Sequence, residues 1–242
     1  TVAAQPSKSA AHRMICCAAL AKGTSVIDNI VLSDDVRATC EGLQKLGLAR
    51  VVLQNGLKVQ GGLTPPGGER LVDCNESGST LRFLLPLALV AGGPALFTGR
   101  GRLLQRPIDL YRQLFEPLGV RWSASASGIF VSGRLKPGVF RMPGDVSSQF
   151  ITGLLFALPL LEGDSEIRLE SPLESRGYVE MTRRAQALYG VRSEWLTEAL
   201  LAVSGKQAYT RCDVAVEGDY SHAAFFAVAG ALGGRVTLTG LS

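Results

Sequence analysis

The chain has 242 residues, of which 46% are apolar and 19% are charged, and its formal net charge is +4. This composition excludes a disordered chain, which needs low hydrophobicity and high net charge. The 19 arginines outnumber the 6 lysines and are scattered along the chain without a basic run. This distribution argues against a nucleic-acid surface. It favours small anions bound in discrete pockets, because arginine makes planar two-point contacts to phosphate and carboxylate.

Apolar runs and cysteines indicate the cellular compartment. The longest apolar stretches, such as 83–91, are too short to span a bilayer, so we expect no membrane partner. The five cysteines are odd in number and form no C-x-x-C pair, and the first residues lack the features of a secretory signal. We therefore predict a cytoplasmic protein with reduced thiols.

A repeat of about 70 residues organises the chain. Small polar residues open nearly all-apolar runs at four positions: Ser9, Ser79, Ser148 and Ser221. Amphipathic segments end in three glycines that are 72 and 71 residues apart: Gly47, Gly119 and Gly190. The first set predicts buried helices with polar N-termini, and the second set predicts surface helices with glycine C-caps. The apolar runs even share a proline, at Pro86 and Pro159.

Strand-like pieces lie between these helices, at 25–27, 51–53, 57–59, 129–131, 167–169 and 214–216, and a glycine- and proline-rich turn is predicted at 61–68. One unit is therefore a buried helix, a strand, an amphipathic helix and two or three further strands. We predict an α/β fold of three such units in a pseudo-threefold arrangement around the buried helices. A fourth unit gives only a buried helix at 223–232 and a strand at 236–239. We expect the chain to be cut within this unit and to leave apolar surface uncovered.

The helix starts are the candidate site. Converging helix N-termini present free N–H groups and positive dipole ends, which suit anions. Cations stand beside these starts: Lys8, Arg13, Arg82 and Arg106. We favour Lys8 as an anion ligand, whereas Arg13 could be a surface arginine and Arg82 could be paired for structural reasons. Arg106 precedes Pro107, which we predict to be the first residue of a helix.

Other candidates have alternatives that the sequence leaves open. Ser147, Ser148 and Gln149 could be helix caps alone, and Ser175 could be a plain N-cap. We interpret Asp34 and Asp35 as first-turn residues of a helix rather than as a metal or acid–base pair. Zinc-ligand spacing, a G-x-S-x-G elbow and a P-loop do not occur, so we predict no metal site.

Seven short motifs resemble the 5-enolpyruvylshikimate-3-phosphate synthase (3-phosphoshikimate 1-carboxyvinyltransferase) family, in the family's order and over nearly the whole chain. They are 6–9 (PSKS) with His12 and Arg13, 33–36 (SDDV), 77–82 (SGSTLR), 106–108 (RPI), 144–150 (GDVSSQF), 175–178 (SRGY) and 217–219 (EGD). The chain departs from the usual pattern at Glu76, where the family often has Asn, and at Ser79, where it often has Thr.

The resemblance implies a two-domain enzyme of six β-α-β-α-β-β units, three in each domain. Residues 1–13 would form a hinge-proximal segment with the first substrate loop, and 14–216 would form the three-unit domain. Residues 217–242 would be the crossover into a second domain, most of which would be missing.

The resemblance also implies a reaction and its ligands. The family transfers the carboxyvinyl group of phosphoenolpyruvate to the 5-hydroxyl of shikimate 3-phosphate in chorismate biosynthesis, without a cofactor. Phosphoenolpyruvate would meet Lys8, Gly78 and Arg106. Shikimate 3-phosphate would meet the following residues: Ser9, Arg13, Ser147, Ser148 and Ser175. Gln149 would lie between the two substrates, and Tyr178 would line the sugar-like ring of shikimate 3-phosphate. Ser79 would keep a hydroxyl group in the substrate-binding loop.

No certain catalytic residue falls in this half, because the family's acid–base carboxylates would lie in the missing domain. We therefore expect the chain to be inactive alone. Two alternatives remain open. One is an enolpyruvyl transferase acting on UDP-N-acetylglucosamine, although that enzyme typically has Lys-Asn where this chain has Lys8 and Ser9. The other is a non-catalytic anion-binding repeat module.

Overall fold

The computed structural model describes residues 1–54, 56–63 and 67–241. Its α-helices, in chain order, are α1 (Lys8–Leu20), α2 (Asp34–Lys45), α3 (Gly78–Ala91), α4 (Asp109–Phe115), α5 (Ser148–Ala157), α6 (Arg176–Leu188) and α7 (Tyr220–Ala231). Apolar and amphipathic helices alternate through α6, as the repeat predicts. Within the described residues, no helix is long and apolar enough to cross a membrane.

The strands complete three similar units. In chain order they are β1 (Val2–Ala3), β2 (Gly23–Asp28), β3 (Arg50–Leu53), β4 (Leu57–Gly61), β5 (Arg70–Asp73), β6 (Ala95–Thr98), β7 (Arg121–Ser125), β8 (Gly128–Ser132), β9 (Val139–Met142), β10 (Ser165–Leu169), β11 (Glu194–Thr197), β12 (Leu200–Val203), β13 (Val214–Ala215) and β14 (Leu238–Thr239). The predicted turn at 61–68 is only partly described, because residues 64–66 lie outside the described residues.

Three four-stranded sheets share one topology. Their orders are β13-β2-β4-β3, β5-β6-β8-β7 and β9-β10-β12-β11. In each sheet the first pair of strands is parallel and the other two pairs are antiparallel. The first sheet takes its outer strand, β13, from the end of the third unit, so the chain closes the three units into a ring. The predicted α/β fold of three units is confirmed.

Apolar helices occupy the centre of this ring. Helix α2 packs against α1 and α3, and α6 packs against α1 and α5. Helix α4 reaches α3 and α5 through the Tyr111 hydroxyl. The outer helices thus alternate with the inner ones, and nearly every residue of α3 and α5 is buried, as their apolar sequences predict. The glycines that follow the amphipathic segments have positive φ angles, as C-caps require: Gly47, Gly119 and Gly190.

Prolines within the apolar runs have partners on the outer helices. A proline lacks the N–H that would bond the carbonyl four residues earlier. Pro86 therefore leaves the Arg82 carbonyl free, and the Tyr111 hydroxyl donates to it at 2.9 Å. Pro159 leaves the Leu155 carbonyl, which accepts a hydrogen bond from Gln186 Nε2 at 2.6 Å. The two prolines are tolerated in the core because the neighbouring helix supplies the missing donor.

The fourth unit is built differently. Its strand β14 pairs in parallel with β1, and Pro6 forms a bridge with Gly218. The prediction that α7 is buried is wrong: only Ala223 of this helix is buried, and Phe225 is 77% exposed. The physical reason is that no described layer covers this helix. The expected division between residues 13 and 14 falls inside α1, and the domain boundaries stay a prediction.

Candidate functional site

One cavity of about 640 Å³ lies where the first turns of α1, α3, α5 and α6 come together. Its lining lacks the candidate cation Arg82 but includes every residue for which the resemblance implies a substrate contact: Lys8, Ser9, Arg13, Gly78, Ser79, Arg106, Ser147, Ser148, Gln149, Ser175 and Tyr178. Four further residues line it: Asp35, Glu76, Phe83 and Val146. The predicted convergence is therefore confirmed for the helix starts at Ser9, Ser79 and Ser148, whereas the start at Ser221 is not part of this lining. The functional role of each residue remains a prediction.

Serine caps shape three of these helix starts. The Ser7, Ser77 and Ser147 side chains accept hydrogen bonds from the backbone N–H groups of their own first turns. Each cap occupies one of the four free N–H groups that an α-helix leaves at its N-terminus. The remaining N–H groups and the positive end of each helix dipole are available to an anion in the cavity.

Gly78 brings two arginines close to the backbone of α3. A β-carbon built at Gly78 would lie 2.8 Å from Arg82 Nη1, 3.2 Å from Arg106 Nη1 and 3.4 Å from Gln149 Oε1. A real side chain at this position would push these groups away. Glycine therefore allows two guanidinium groups to approach one helix N-terminus, which concentrates positive charge at this end of the cavity.

Lys8 lies at the cavity edge in an ion pair. Its Nζ is 2.8 Å from Asp35 Oδ2, and the two side chains are 54% and 30% exposed. Asp35 belongs to the first turn of α2, whose N-cap is Ser33, so the first-turn interpretation of Asp34 and Asp35 is confirmed. Asp35 also lines the cavity, although it is not among the predicted site residues. The ammonium group is held towards the cavity and remains partly open to solvent.

Arg13 is buried at the back of the cavity, so the surface-arginine alternative is wrong. Its Nε donates to Thr182 Oγ1 at 2.8 Å, and its Nη1 donates to the Ser9 carbonyl at 2.7 Å. Its Nη2 donates to the Tyr178 carbonyl at 3.1 Å. Burial lowers the pKa of Arg13 to about 10, so the group stays charged at neutral pH. Among the described residues no carboxylate pairs with it. Its charge is therefore available to an anion.

A buried arginine also orients the amide of Gln149. Arg82 Nη1 donates to Gln149 Oε1 at 3.0 Å, and Gln149 Nε2 donates to Ser79 Oγ at 3.1 Å. Arg82 Nη2 donates to the Pro107 carbonyl at 2.8 Å. Burial lowers the pKa of Arg82, since its charge is removed from water. The amide therefore lies between the first turns of α3 and α5 in one fixed orientation.

The structure rules out one alternative and one local prediction at the cavity. Ser175 is not a plain N-cap: it has φ 57° in the left-handed region, and its side chain makes no capping hydrogen bond. Pro107 is not the first helical residue, because α4 begins at Asp109 with Ile108 at the N-cap position. Arg106 instead ends a short 3₁₀ turn. Both residues line the cavity nonetheless, since the loops that carry them turn towards it.

The cavity has a positive balance. Its lining contains three cations, Lys8, Arg13 and Arg106, against the carboxylates of Asp35 and Glu76. Phe83 and Tyr178 flank the Arg13 guanidinium, with ring centres 5.5 and 5.7 Å from its central carbon. A ligand with more than one anionic group and a small apolar ring or chain suits this surface. Within the described residues, no group of acidic, His and Cys side chains is arranged to hold a metal ion.

Comparisons with known proteins agree with this geometry. A model of the family described as EPSP synthase (3-phosphoshikimate 1-carboxyvinyltransferase) matches residues 1–242. A 3-phosphoshikimate 1-carboxyvinyltransferase of Clostridium beijerinckii is 45% identical over 98% of this chain and 56% of its own length. The one from Clostridium novyi is 44% identical over 96% of this chain and 56% of its own length.

A solved structure also shares the fold. The EPSP synthase of Acinetobacter baumannii superposes with a TM-score of 0.80 and 22% identity, and covers 96% of this chain and 52% of its own. At this identity the likeness shows the fold alone. The chain spans about 56% of the length of the curated relatives it matches. From the match over all 242 residues, the chain belongs to the EPSP synthase (3-phosphoshikimate 1-carboxyvinyltransferase) family.

Proposed function

We propose that this chain forms the shikimate 3-phosphate side of a 3-phosphoshikimate 1-carboxyvinyltransferase site. The observation that carries the proposal is that four helix N-termini and three cationic side chains line one cavity. Shikimate 3-phosphate and phosphoenolpyruvate carry phosphate and carboxylate groups, which such a surface binds. The reaction transfers the carboxyvinyl group of phosphoenolpyruvate to the 5-hydroxyl of shikimate 3-phosphate and releases phosphate.

The cavity divides between the two substrates. Phosphoenolpyruvate contacts Lys8, Gly78 and Arg106. Gly78 is at the N-terminus of α3, beside the Arg82 and Arg106 side chains. Shikimate 3-phosphate meets the hydroxyls and the buried guanidinium on the other side, from Ser9, Arg13, Ser147, Ser148 and Ser175. Gln149 and Ser79, which are hydrogen-bonded to each other, lie at the boundary. Tyr178 packs along the sugar-like ring.

The proposed reaction needs acid and base groups in addition to the residues that line this cavity. The reaction protonates the methylene carbon of phosphoenolpyruvate, deprotonates the attacking hydroxyl and passes through a tetrahedral intermediate before phosphate leaves. Positioned acid and base groups are required for these steps. Asp35 is paired with Lys8, and we assign no acid–base role to Glu76. We propose that these groups come from the part of the relatives' length that this chain does not span, so the chain binds substrate without turning it over.

The domain division fits the same proposal. Strand β13 ends the ring of three units at Ala215, close to the proposed boundary after residue 216. Residues 1–13 then lead into the first substrate loop, and 217–242 lead into a second domain, which is the proposed partner.

All five cysteines are free, and four of them are buried. This agrees with the reducing cytoplasm that we propose as the compartment.

Calorimetric titration of the 242-residue chain tests the proposal. We expect shikimate 3-phosphate to bind, shikimate without its phosphate to bind more weakly, and no phosphate to be released when phosphoenolpyruvate is added. Tighter binding of UDP-N-acetylglucosamine than of shikimate 3-phosphate would favour the alternative transferase. Phosphate release at a normal enzymatic rate would contradict the proposed need for a further region.

Lys8→Met and its matched control Lys45→Met test the proposed binding of phosphoenolpyruvate. We expect Lys8→Met to weaken the binding of phosphoenolpyruvate to the shikimate 3-phosphate complex about tenfold, the effect of losing one charge-assisted hydrogen bond. Lys45→Met removes an equal charge from the last turn of α2 and should leave binding unchanged. Equal binding by the wild type and Lys8→Met would favour a non-catalytic anion-binding module.

A further inference from the structure

Hydroxyl groups occupy one repeated position on the three outer helices. Thr39 on α2, Tyr111 on α4 and Thr182 on α6 each stand eight residues before the glycine that follows their helix. All three side chains are buried in the ring of helices. Each hydroxyl lies within hydrogen-bond distance of groups on both neighbouring inner helices. The three residue types differ, but their role in joining two inner helices is the same.

Thr182 has the most direct connection to the cavity. Its Oγ1 accepts from Arg13 Nε at 2.8 Å and donates to the Tyr178 carbonyl at 2.9 Å. Thr152 Oγ1 on α5 lies 3.0 Å away. One hydroxyl therefore joins α1, α5 and α6. Two of its partners, Arg13 and Tyr178, line the cavity.

Thr39 makes the corresponding contacts on the other side of α1. Its Oγ1 lies 2.8 Å from His12 Nδ1 on α1 and 2.7 Å from Thr80 Oγ1 on α3. It also donates to the carbonyl of Asp35, the residue that pairs with Lys8. Thr80 in turn donates to the capping hydroxyl of Ser77. The contacts of Thr39 thus reach the first turns of α1, α2 and α3.

Tyr111 joins the remaining pair of inner helices. Its Oη lies 2.9 Å from the Arg82 carbonyl on α3 and 2.8 Å from the Phe150 carbonyl on α5. Arg82 holds the Gln149 amide, and Phe150 follows Gln149 in the chain. A β-carbon at Gly153 would collide with this hydroxyl, so the close approach depends on glycine.

We propose that Thr39, Tyr111 and Thr182 are positioning residues that set the relative placement of the helix N-termini around the cavity. The buried residues of the inner helices are mostly apolar, and the hydrophobic effect that drives their burial is non-directional. Buried hydrogen bonds have defined lengths and angles, so they fix the rotation of each helix against its neighbours. Displacing one helix start misplaces the groups that bind an anion. This inference rests on the proposed function for the identity of that anion.

Variants of Thr182 provide the test. Thr182→Val keeps the shape of the side chain and removes its hydroxyl, whereas Thr182→Ser keeps the hydroxyl. We expect Thr182→Val to weaken the binding of shikimate 3-phosphate to the 242-residue chain about tenfold, measured by calorimetry well below the unfolding temperature. Thr182→Ser should restore affinity to within about twofold of the wild type. Wild-type affinity in Thr182→Val, with or without a lower Tm, would overturn the proposal.

Hydrogen exchange separates this proposal from the proposed function. In the ligand-free chain, Thr182→Val should speed amide exchange in the second turn of α6, whose N–H groups bond to the carbonyls of the first turn, and Thr182→Ser should not. If the wild type fails to bind shikimate 3-phosphate, the proposed function fails, and the exchange result still decides whether Thr182 positions α6. Unchanged exchange in Thr182→Val would overturn the positioning role. If Thr182→Val does not fold, Thr39→Val and Thr39→Ser apply the same comparison to α2.

Discussion

Helices α3 and α7 begin 142 residues apart and occupy the same place in the repeat, yet their surroundings differ completely. Phe83 in α3 is 1% exposed, whereas Phe225, its equivalent at the same interval in α7, is 77% exposed. Both helices are strongly apolar in sequence. An apolar sequence therefore shows that a helix requires burial, but the other layers of its unit decide whether the helix is buried.

Closure of the ring explains why α3 has those layers. Three sheets and three amphipathic helices surround the inner helices, and β13 supplies the strand that the first unit lacks. In the fourth unit the described residues provide only α7, β14 and the pairing of β14 with β1. Three tests of this comparison between the closed ring and the fourth unit follow, in order of decreasing expected effect.

The equivalent phenylalanines give the largest expected contrast. Phe83→Ala should lower the free energy of unfolding by about 3–5 kcal/mol, because it leaves a cavity in the core. Phe225→Ala should change it by less than about 0.5 kcal/mol, since the side chain is already in contact with solvent. Urea unfolding followed by circular dichroism measures both. Similar losses in the two variants would contradict the view that α7 lacks a covering layer.

His12 reports how well the closed ring excludes water. Burial lowers its pKa to about 4 from the usual 6.5; Asp35 opposes this shift, whereas Lys8 and Arg13 add to it. Between these values the unfolded chain binds a proton that the folded chain does not. The free energy of unfolding should therefore fall as the pH drops from about 6.5 towards about 4, by at most about 1.4 kcal/mol per pH unit.

Chemical unfolding of the wild type and His12→Gln across this pH range measures that slope. Contributions from the carboxylates are common to both proteins and cancel in the difference. As the pH drops from about 6.5 towards about 4, we expect the wild type to lose more unfolding free energy than His12→Gln. A difference that is independent of pH would mean that His12 is accessible to water and protons in the folded chain.

Helix caps give the smallest expected contrast. Ser77 caps α3 by accepting from Thr80 N at 3.1 Å, and Asp219, 142 residues later, caps α7 by accepting from Ser221 N at 2.8 Å. Ser77→Ala should lower the free energy of global unfolding by about 1 kcal/mol. Asp219→Ala should speed amide exchange within α7 and leave global unfolding unchanged. If both variants lost the same free energy of global unfolding, α7 would unfold together with the ring.

Much of the helical framework could be predicted because its signals are local. Serines at helix starts and glycines at helix ends mark boundaries through their own backbone preferences, and the run that forms α3 is too apolar for a surface. Strands such as β5 and β9 were missed, because four residues with alternating exposure give a weak pattern. The pairing of β13 with β2 joins residues nearly 190 positions apart, and no local signal shows it.

The sequence predicts which residues line the site better than it predicts how those residues are arranged. The repeated helix starts predict that Lys8 lies near Ser79 and Ser148, and the family resemblance adds Gly78 and Gln149 to the same site. Asp35 was interpreted correctly as a first-turn residue, but its pairing with Lys8 depends on how α1 packs against α2. The left-handed backbone of Ser175 depends on tertiary contacts, which override the local preference of serine for a capping position.

Hydrogen exchange of the 242-residue chain, with and without shikimate 3-phosphate, tests most directly whether the closed ring carries the substrate site and the fourth unit does not. Without ligand, we predict strong protection of α3 and fast exchange in the second half of α7. With shikimate 3-phosphate, exchange should slow in the first turns of α1, α5 and α6 and stay fast in α7. Protection of α7 equal to that of α3, or no slowing at any of these helix starts, would contradict the account.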